Sequence, residues 1–291
     1  MQGGAVIDAL VKHGGYLIRG LSRNVEAEAA KHFVSKGVEM ITGHLLDKES
    51  LIKAFAGAYA VFGVSIPFQP EGETVQGQNL VDACKANDVP LLVWSSLPSA
   101  SALSNGKYRG VLGFDQKSEV DKYVRSSNQP AVILHTGTFA ENILDYGYLK
   151  EDPDKPDNWH IYTPIIGGDV HWPVTYPTVD LGPCVLAILE SWENDALRAE
   201  LSKDSIVVVQ HTISGNEMAE TIQQVTGKLC DYVTLPVEMT PAPFIQPYSW
   251  GNDGFFTYGD KINPQILVKI GVKLHTFEDY VNDKVVPFMK K

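Results

Sequence analysis

The sequence predicts a doubly wound α/β fold built around a parallel β-sheet. Through the first half, short apolar runs alternate with helix-like stretches at lengths typical of βαβ units. The chain has 291 residues, of which 44% are hydrophobic, enough to bury one large core with a smaller appendage. We therefore expect a parallel-sheet portion over residues 1–150 and a smaller C-terminal α/β portion over residues 151–291, packed on the sheet edge.

The elements of the first portion follow from local patterns. Apolar runs predict strands at residues 17–22, 38–41, 59–64, 90–95 and 131–134. Between and before them, helical patterns predict helices at residues 5–13, 26–34, 47–55, 75–86 and 116–124. Asp47, followed by polar and acidic residues, is typical of a helix N-cap.

The second portion does not continue the regular alternation of strands and helices. Residues 151–158 form a polar, proline-containing stretch that predicts a loop. A helix is predicted near residues 181–190, a strand near 205–210 and a helix near 215–226. Residues 241–258 are rich in proline and aromatic residues, typical of a core, a lid or the lining of a substrate cleft.

Composition excludes several function classes. The formal net charge is −11 and the pI is near 5.2, which argues against binding to a nucleic-acid backbone but leaves room for a basic protein partner. The three cysteines are widely spaced, so neither a disulfide framework nor a cysteine metal site is expected. With no signal peptide and no membrane-length apolar run found, we expect a cytoplasmic protein, a nuclear location being left open.

The first residues match part of a glycine-rich strand-to-helix turn. Such a turn uses glycines for the bend, for close approach of the backbone to a pyrophosphate, and for helix–sheet packing. Gln2, Gly3 and Gly4 correspond to its last part only, and no apolar strand precedes them. Alone, two adjacent glycines near a terminus are weak evidence for a Rossmann-type dinucleotide site.

Six later stretches strengthen that interpretation, and with them the chain resembles the NmrA-like family of atypical short-chain dehydrogenases/reductases. Each motif is short, but their order and spacing extend over nearly the whole sequence. They are residues 21–24 (LSRN), 57–62 (GAYAVF), 76–83 (QGQNLVDA), 114–120 (FDQKSEV), 139–142 (FAEN) and 180–182 (DLG). The resemblance implies a Rossmann-type fold that binds NADP, with NAD left open.

The resemblance and the Rossmann pattern together suggest cofactor-binding residues. Arg23 follows the second strand of the family's sheet, where an arginine can pair with the 2′-phosphate of NADP, although it is also readable as a solvated surface residue. His44 stands where the family contacts adenine, and Ser65 ends a strand near the expected pyrophosphate or nicotinamide ribose; each is equally readable as a loop residue. Phe139 and Asn142 belong to the FAEN motif.

Lys117 is the candidate for catalysis. Family reductases that act on aromatic ethers use a lysine at this position as a general acid/base, which requires a lowered pKa. Binding to the nicotinamide ribose, or a surface helix face shared with Asp115 and Glu119, are the alternatives. Gly113 replaces the histidine that usually opens the motif, and Val75 replaces a second family lysine.

Two functions remain open. The first, slightly favoured, is a redox-sensing regulator that binds the dinucleotide and engages a basic protein partner. The second is an NADPH-dependent oxidoreductase that reduces a carbonyl, quinone or aromatic ether. The two Tyr-x-x-x-Lys matches, at residues 146–150 and 280–284, do not lie on the helix that would bring them to a nicotinamide. No histidine pattern predicts a metal site, and the sequence does not predict an oligomeric state.

The resemblance also places a first strand ahead of residue 1, between the strands at residues 17–22 and 59–64. Losing about four apolar side chains there would remove roughly 6–12 kcal/mol of burial, comparable with the ~5–15 kcal/mol stability of a domain. Two inner strand edges would be left unpaired. We therefore expect an upstream-truncated sequence that, as written, folds poorly or binds NADP weakly.

Overall fold

The computed structural model describes residues 1–290. Its strands are β1 (Arg19–Ser22), β2 (Glu39–Thr42), β3 (Ala60–Gly63), β4 (Leu91–Ser96), β5 (Ala131–Thr136), β6 (Thr138–Phe139), β7 (Leu149–Glu151), β8 (Asn158–Pro164), β9 (His171–Thr175), β10 (Ile206–Val208), β11 (His211–Ser214) and β12 (Leu229–Leu235). Its α-helices are α1 (Gln2–His13), α2 (Glu28–Val34), α3 (Lys48–Ala54), α4 (Gly72–Ala86), α5 (Ala100–Leu103), α6 (Leu112–Ser126), α7 (Asn142–Asp145), α8 (Pro177–Ser191), α9 (Asp195–Lys203), α10 (Gly215–Thr226), α11 (Ala242–Asn252), α12 (Gln265–Lys269), α13 (Phe277–Tyr280) and α14 (Val286–Met289).

The predicted α/β fold with parallel strands is confirmed. Strands β3, β4, β5 and β10 form one parallel sheet in the order β10-β5-β4-β3, and β1 pairs in parallel with β2. Strand β4 is buried along its whole length, because helices cover both faces of the sheet. Asp47 is the N-cap of α3, as expected, and its side chain accepts a hydrogen bond from Ser50 N at 3.1 Å.

Strands β1 and β3 belong to separate sheets. Within residues 1–290, β1 pairs only with β2 and β3 pairs only with β4. The inner edges of β1 and β3, which were expected to be unpaired, therefore carry no strand in the described part of the chain. Arg19, the first residue of β1, donates from Nη1 to Ala56 O at 2.6 Å in the loop between α3 and β3.

Two further three-stranded sheets, β11-β9-β6 and β12-β8-β7, are built mostly from the second half of the chain, with β6 contributed before residue 150. Their shared core includes Trp159, Ile161, Trp172 and Ile222. Strand β10 and helix α8 instead return to the first sheet, where Leu181 and Val208 pack in its core. The chain thus crosses between the two portions after residue 150, and the division at that residue stays a prediction.

Helix α1 is fixed against α8 by a close crossing. A Cβ on Gly182 would lie 2.6 Å from both Ala5 O and Ala9 Cβ, so only glycine permits this approach. The crossing holds the first turn of α1 near the ends of the sheet strands. In residues 1–290, none of the helices has both the length and the apolar character needed to cross a bilayer.

Candidate functional site

A cavity opens at the carboxyl ends of the parallel strands. Ser65 follows β3, Ser95 and Ser96 end β4, and Gly137 follows β5; all four line a cavity of about 390 Å³. In open α/β sheets this edge is where ligands bind, because loops and helix N-termini converge there. This mostly apolar cleft therefore lies at the sheet edge where folds of this class bind ligands.

The opposite wall of the cavity is aromatic. Helix α11 supplies Phe244, Tyr248 and Trp250, and Trp250 packs edge-to-face on Phe114 of α6 with ring centroids 4.8 Å apart. The hydroxyls of Tyr248 and Tyr148 are hydrogen-bonded to each other. Thus part of the proline- and aromatic-rich stretch at residues 241–258 lines the cavity.

Lys117 lies at the cavity wall and is almost completely buried. Its Nζ pairs with Glu73 Oε2 of α4, and Ser65 Oγ donates to the same oxygen at 2.6 Å. Only 8% of Lys117 and 2% of Glu73 are exposed. Burial lowers the pKa of the Lys117 ammonium to about 8, while the Asp121 carboxylate acts in the opposite direction. The surface-helix alternative for Lys117 does not fit this position.

Asp121 is a second buried ionisable residue on the inner face of α6. It follows Lys117 by one turn of α6, and its carboxylate accepts from Trp94 Nε1 at 3.1 Å. His135 Nε2 of β5 lies 2.8 Å from its other oxygen. The inner face of α6 therefore carries a lysine and an aspartate, each fixed by partners from neighbouring elements.

Five of the nine residues suggested from sequence come together in the cavity lining: Gln2, Ser65, Lys117, Phe139 and Asn142. Gln2 Oε1 accepts a hydrogen bond from Ser95 Oγ at 2.6 Å, which joins the first turn of α1 to the end of β4. Their individual roles stay predictions.

The other four residues lie outside that lining. Gly3 and Gly4 are in the first turn of α1, and a Cβ on Gly3 would meet no atom within 4 Å. Arg23 is exposed in the turn after β1, where Asn24 N donates to Ser22 Oγ at 3.1 Å and orders the backbone. His44 Nδ1 accepts from Leu46 N at 3.1 Å, so this nitrogen holds its own loop.

Sequence reasoning missed Glu73. A glutamate in the first turn of a helix is ordinarily a solvated group that favours the helix dipole. The one available signal was Gly113, because a Cβ there would lie 3.3 Å from Glu73 Oε1 and a histidine would need that space. Among residues 1–290, no cluster of histidine, cysteine, aspartate and glutamate is arranged to hold a metal ion.

Comparison with known proteins identifies the family to which this fold belongs. The model of the NmrA-like family matches residues 1–273. The chain belongs to the NmrA-like family. Its resemblance to that family, noted from seven short motifs, is therefore confirmed over almost the full sequence.

Two relatives from Aspergillus flavus are NmrA-like family domain-containing oxidoreductases. lnaB is 28% identical over 203 residues, which cover 64% of this chain and 60% of lnaB. lnbB is 25% identical over 256 residues, which cover 81% of this chain and 73% of lnbB. The alignment with lnaB thus spans less than two thirds of that relative.

Solved structures share the fold at low identity. NmrA, described as a negative transcriptional regulator, superposes with a TM-score of 0.82 at 19% identity in its complex with NADP, covering 99% of this chain and 92% of NmrA. The triphenylmethane reductase of Citrobacter sp. superposes with a TM-score of 0.70 at 18% identity, covering 99% of this chain and 96% of the reductase. These likenesses show a Rossmann-type fold.

Proposed function

We propose that this protein is an NAD(P)H-dependent oxidoreductase that reduces a neutral, largely aromatic organic molecule. The observation that carries the proposal is the buried Lys117, with its lowered pKa, in an aromatic cavity at the carboxyl edge of the sheet. Perturbed ionisable groups in apolar clefts are typical of catalytic sites. Relatives named as oxidoreductases support the same reaction class.

The residues present fit a dinucleotide in part. The first turn of α1 has no side-chain cap and open space beside Gly3, so its free N–H groups and positive dipole end suit a pyrophosphate. Arg23, exposed after β1, suits the 2′-phosphate of NADP. NmrA is described in complexes with both NAD and NADP. We infer NADP as the preferred cofactor, since the exposed Arg23 guanidinium after β1 can pair with the additional phosphate.

When bound, the reduced nicotinamide supplies a hydride to the substrate. Lys117 supplies the balancing proton: its ammonium donates to the substrate oxygen, becomes a neutral amine, and takes a proton back from water. A carbonyl or quinone thereby gains one hydride and one proton. With a pKa near 8, Lys117 is still mostly protonated at neutral pH and is a stronger acid than an exposed lysine.

The charge of the cavity indicates the substrate class. Among its lining residues in positions 1–290, only Lys117 and Glu73 are charged, and they neutralise each other. Phe114, Tyr248 and Trp250 supply flat apolar surface. A charged substrate would lose its hydration without gaining a partner, so the cavity favours neutral aromatic molecules.

The test is NADPH consumption with neutral quinones, aromatic aldehydes and aromatic ethers, each beside a carboxylated analogue. We expect turnover of at least one neutral compound and a loss of about 100-fold or more in Lys117→Met, within the range for removal of a general acid. The matched control is Lys122→Met, which removes an exposed lysine of the same helix. Equal turnover in Lys117→Met and wild type would contradict the role of Lys117.

A redox-sensing regulator is the second candidate, supported by the net charge of −11, which suits a basic protein partner. The fold shared with NmrA agrees with this candidate. Binding of NADPH without turnover of any compound, together with a dinucleotide-dependent partner in a pull-down, would favour the sensor over the oxidoreductase.

A further inference from the structure

We infer that Glu73 is a positioning residue for Lys117: its carboxylate holds the ammonium at the cavity wall and keeps it protonated. This inference rests on the proposed function for its catalytic consequence, but the effect on the lysine itself does not require turnover. Glu73 lies outside the FDQKSEV motif, on helix α4, and contacts Lys117 only in the folded chain.

The first support is the way in which Glu73 is itself fixed. Ser65 Oγ donates to Glu73 Oε2 at 2.6 Å, and the backbone N–H of Glu73 donates to Gln116 Oε1 at 2.8 Å. The loop that carries Ser65 is clamped in turn by Gln76, whose side-chain amide exchanges two hydrogen bonds of 2.8 Å with the backbone of Ile66. The Glu73 carboxylate is thus held by Ser65, and both the Glu73 backbone and the loop that carries Ser65 are anchored, so the carboxylate can orient a flexible lysine.

The second support is the space that receives the carboxylate. Glu73 Oε1 would be only 3.3 Å from a Cβ on Gly113, so the absence of a side chain at that position leaves room for the carboxylate. Both partners are nearly excluded from water, and a buried charge is strongly destabilised unless it is paired. Removing Glu73 would therefore leave the Lys117 ammonium without its direct counter-charge.

Other ionisable groups surround Lys117 and enter the expected titration. Asp121, on the same helix, favours the charged lysine but is engaged with Trp94 and His135. Asp115, also on α6, accepts hydrogen bonds from Ser99 and Ser101. Glu73 is thus the only carboxylate in residues 1–290 that is paired with the Lys117 ammonium.

The test compares Glu73→Gln with Glu71→Gln, which removes the same charge from an exposed position two residues earlier. Lysine side chains labelled with 15N are titrated by NMR from about pH 4 to about pH 11, and the Lys117 signal is assigned with Lys117→Met. Loss of an adjacent opposite charge lowers a lysine pKa by about 1–3 units. We therefore expect the inflection of Lys117 to fall by that amount in Glu73→Gln and to stay unchanged in Glu71→Gln.

The same variants are then measured in the NADPH assay. We expect Glu73→Gln to lower kcat at neutral pH with little change in KM, and to move the alkaline limb of the pH profile to lower pH. Glu73→Asp, which keeps the charge, should restore part of both. An unchanged Lys117 inflection in a folded Glu73→Gln protein overturns the inference even if the wild type turns over. A shifted inflection without turnover in the wild type supports the pairing and contradicts the proposed reaction instead.

Discussion

Gly3→Ala separates the demands of the fold from the demands of the cofactor. A Cβ at Gly3 would meet no atom within 4 Å, so the fold has no steric need for glycine at this position. Alanine is favoured over glycine by up to about 1 kcal/mol inside a helix, and by less in a first turn. The unfolding free energy should therefore stay equal to that of the wild type or rise slightly.

Dinucleotide binding should respond in the opposite direction. If the pyrophosphate approaches the first turn of α1, the added methyl group occupies the space that its oxygens need. We expect NADP to bind at least about tenfold more weakly, which corresponds to about 1.4 kcal/mol. Isothermal titration calorimetry measures the affinity for NADP, and thermal denaturation of the same protein measures its Tm. Unchanged NADP affinity in a folded Gly3→Ala protein would refute the placement of the pyrophosphate.

Three further predictions test other parts of the structure. Gly182→Ala places a Cβ 2.6 Å from Ala5 O. The substitution should lower the unfolding free energy by about 1–3 kcal/mol and the Tm by roughly 2–4 °C for each kcal/mol. A Tm equal to that of the wild type would contradict the tight α1–α8 crossing. Arg23→Ala should reduce the ratio of NADP to NAD affinity, and an unchanged ratio would show that Arg23 does not select the cofactor. The pKa of Lys117 is lowered from 10.5 to about 8, so between these pH values the unfolded chain binds a proton that the folded chain has lost. The contribution of this lysine to the unfolding free energy should therefore increase with pH from about 8 to 10.5, as measured by chemical denaturation. Lys117→Met should lack this increase.

The parallel sheet could be predicted because its strands are read from local composition. Strands β4 and β5 are buried on both faces and appear as continuous apolar runs, so their positions were recognisable. Strand β8 was not predicted. It alternates buried and partly exposed residues, and its polar positions, such as Asn158 and His160, weaken the apolar signal.

The candidate site could be predicted only where one motif supplies the residue. Lys117 was found because it lies in FDQKSEV, and Ser65 because it follows an apolar strand. Glu73 and the Tyr148–Tyr248 pair depend on contacts between elements that are far apart in sequence. No local pattern distinguishes a buried glutamate in a first helical turn from a solvated one.

Product formation with a neutral quinone or aromatic aldehyde tests the central claim most directly. NADPH consumed and reduced product formed are quantified together in the wild type, Lys117→Met and Lys122→Met. The proposed reaction predicts one product for each NADPH in the wild type and in Lys122→Met, with both quantities falling by about 100-fold or more in Lys117→Met. Equal product formation by Lys117→Met, or NADPH binding with no product from any neutral aromatic compound, would contradict the claim.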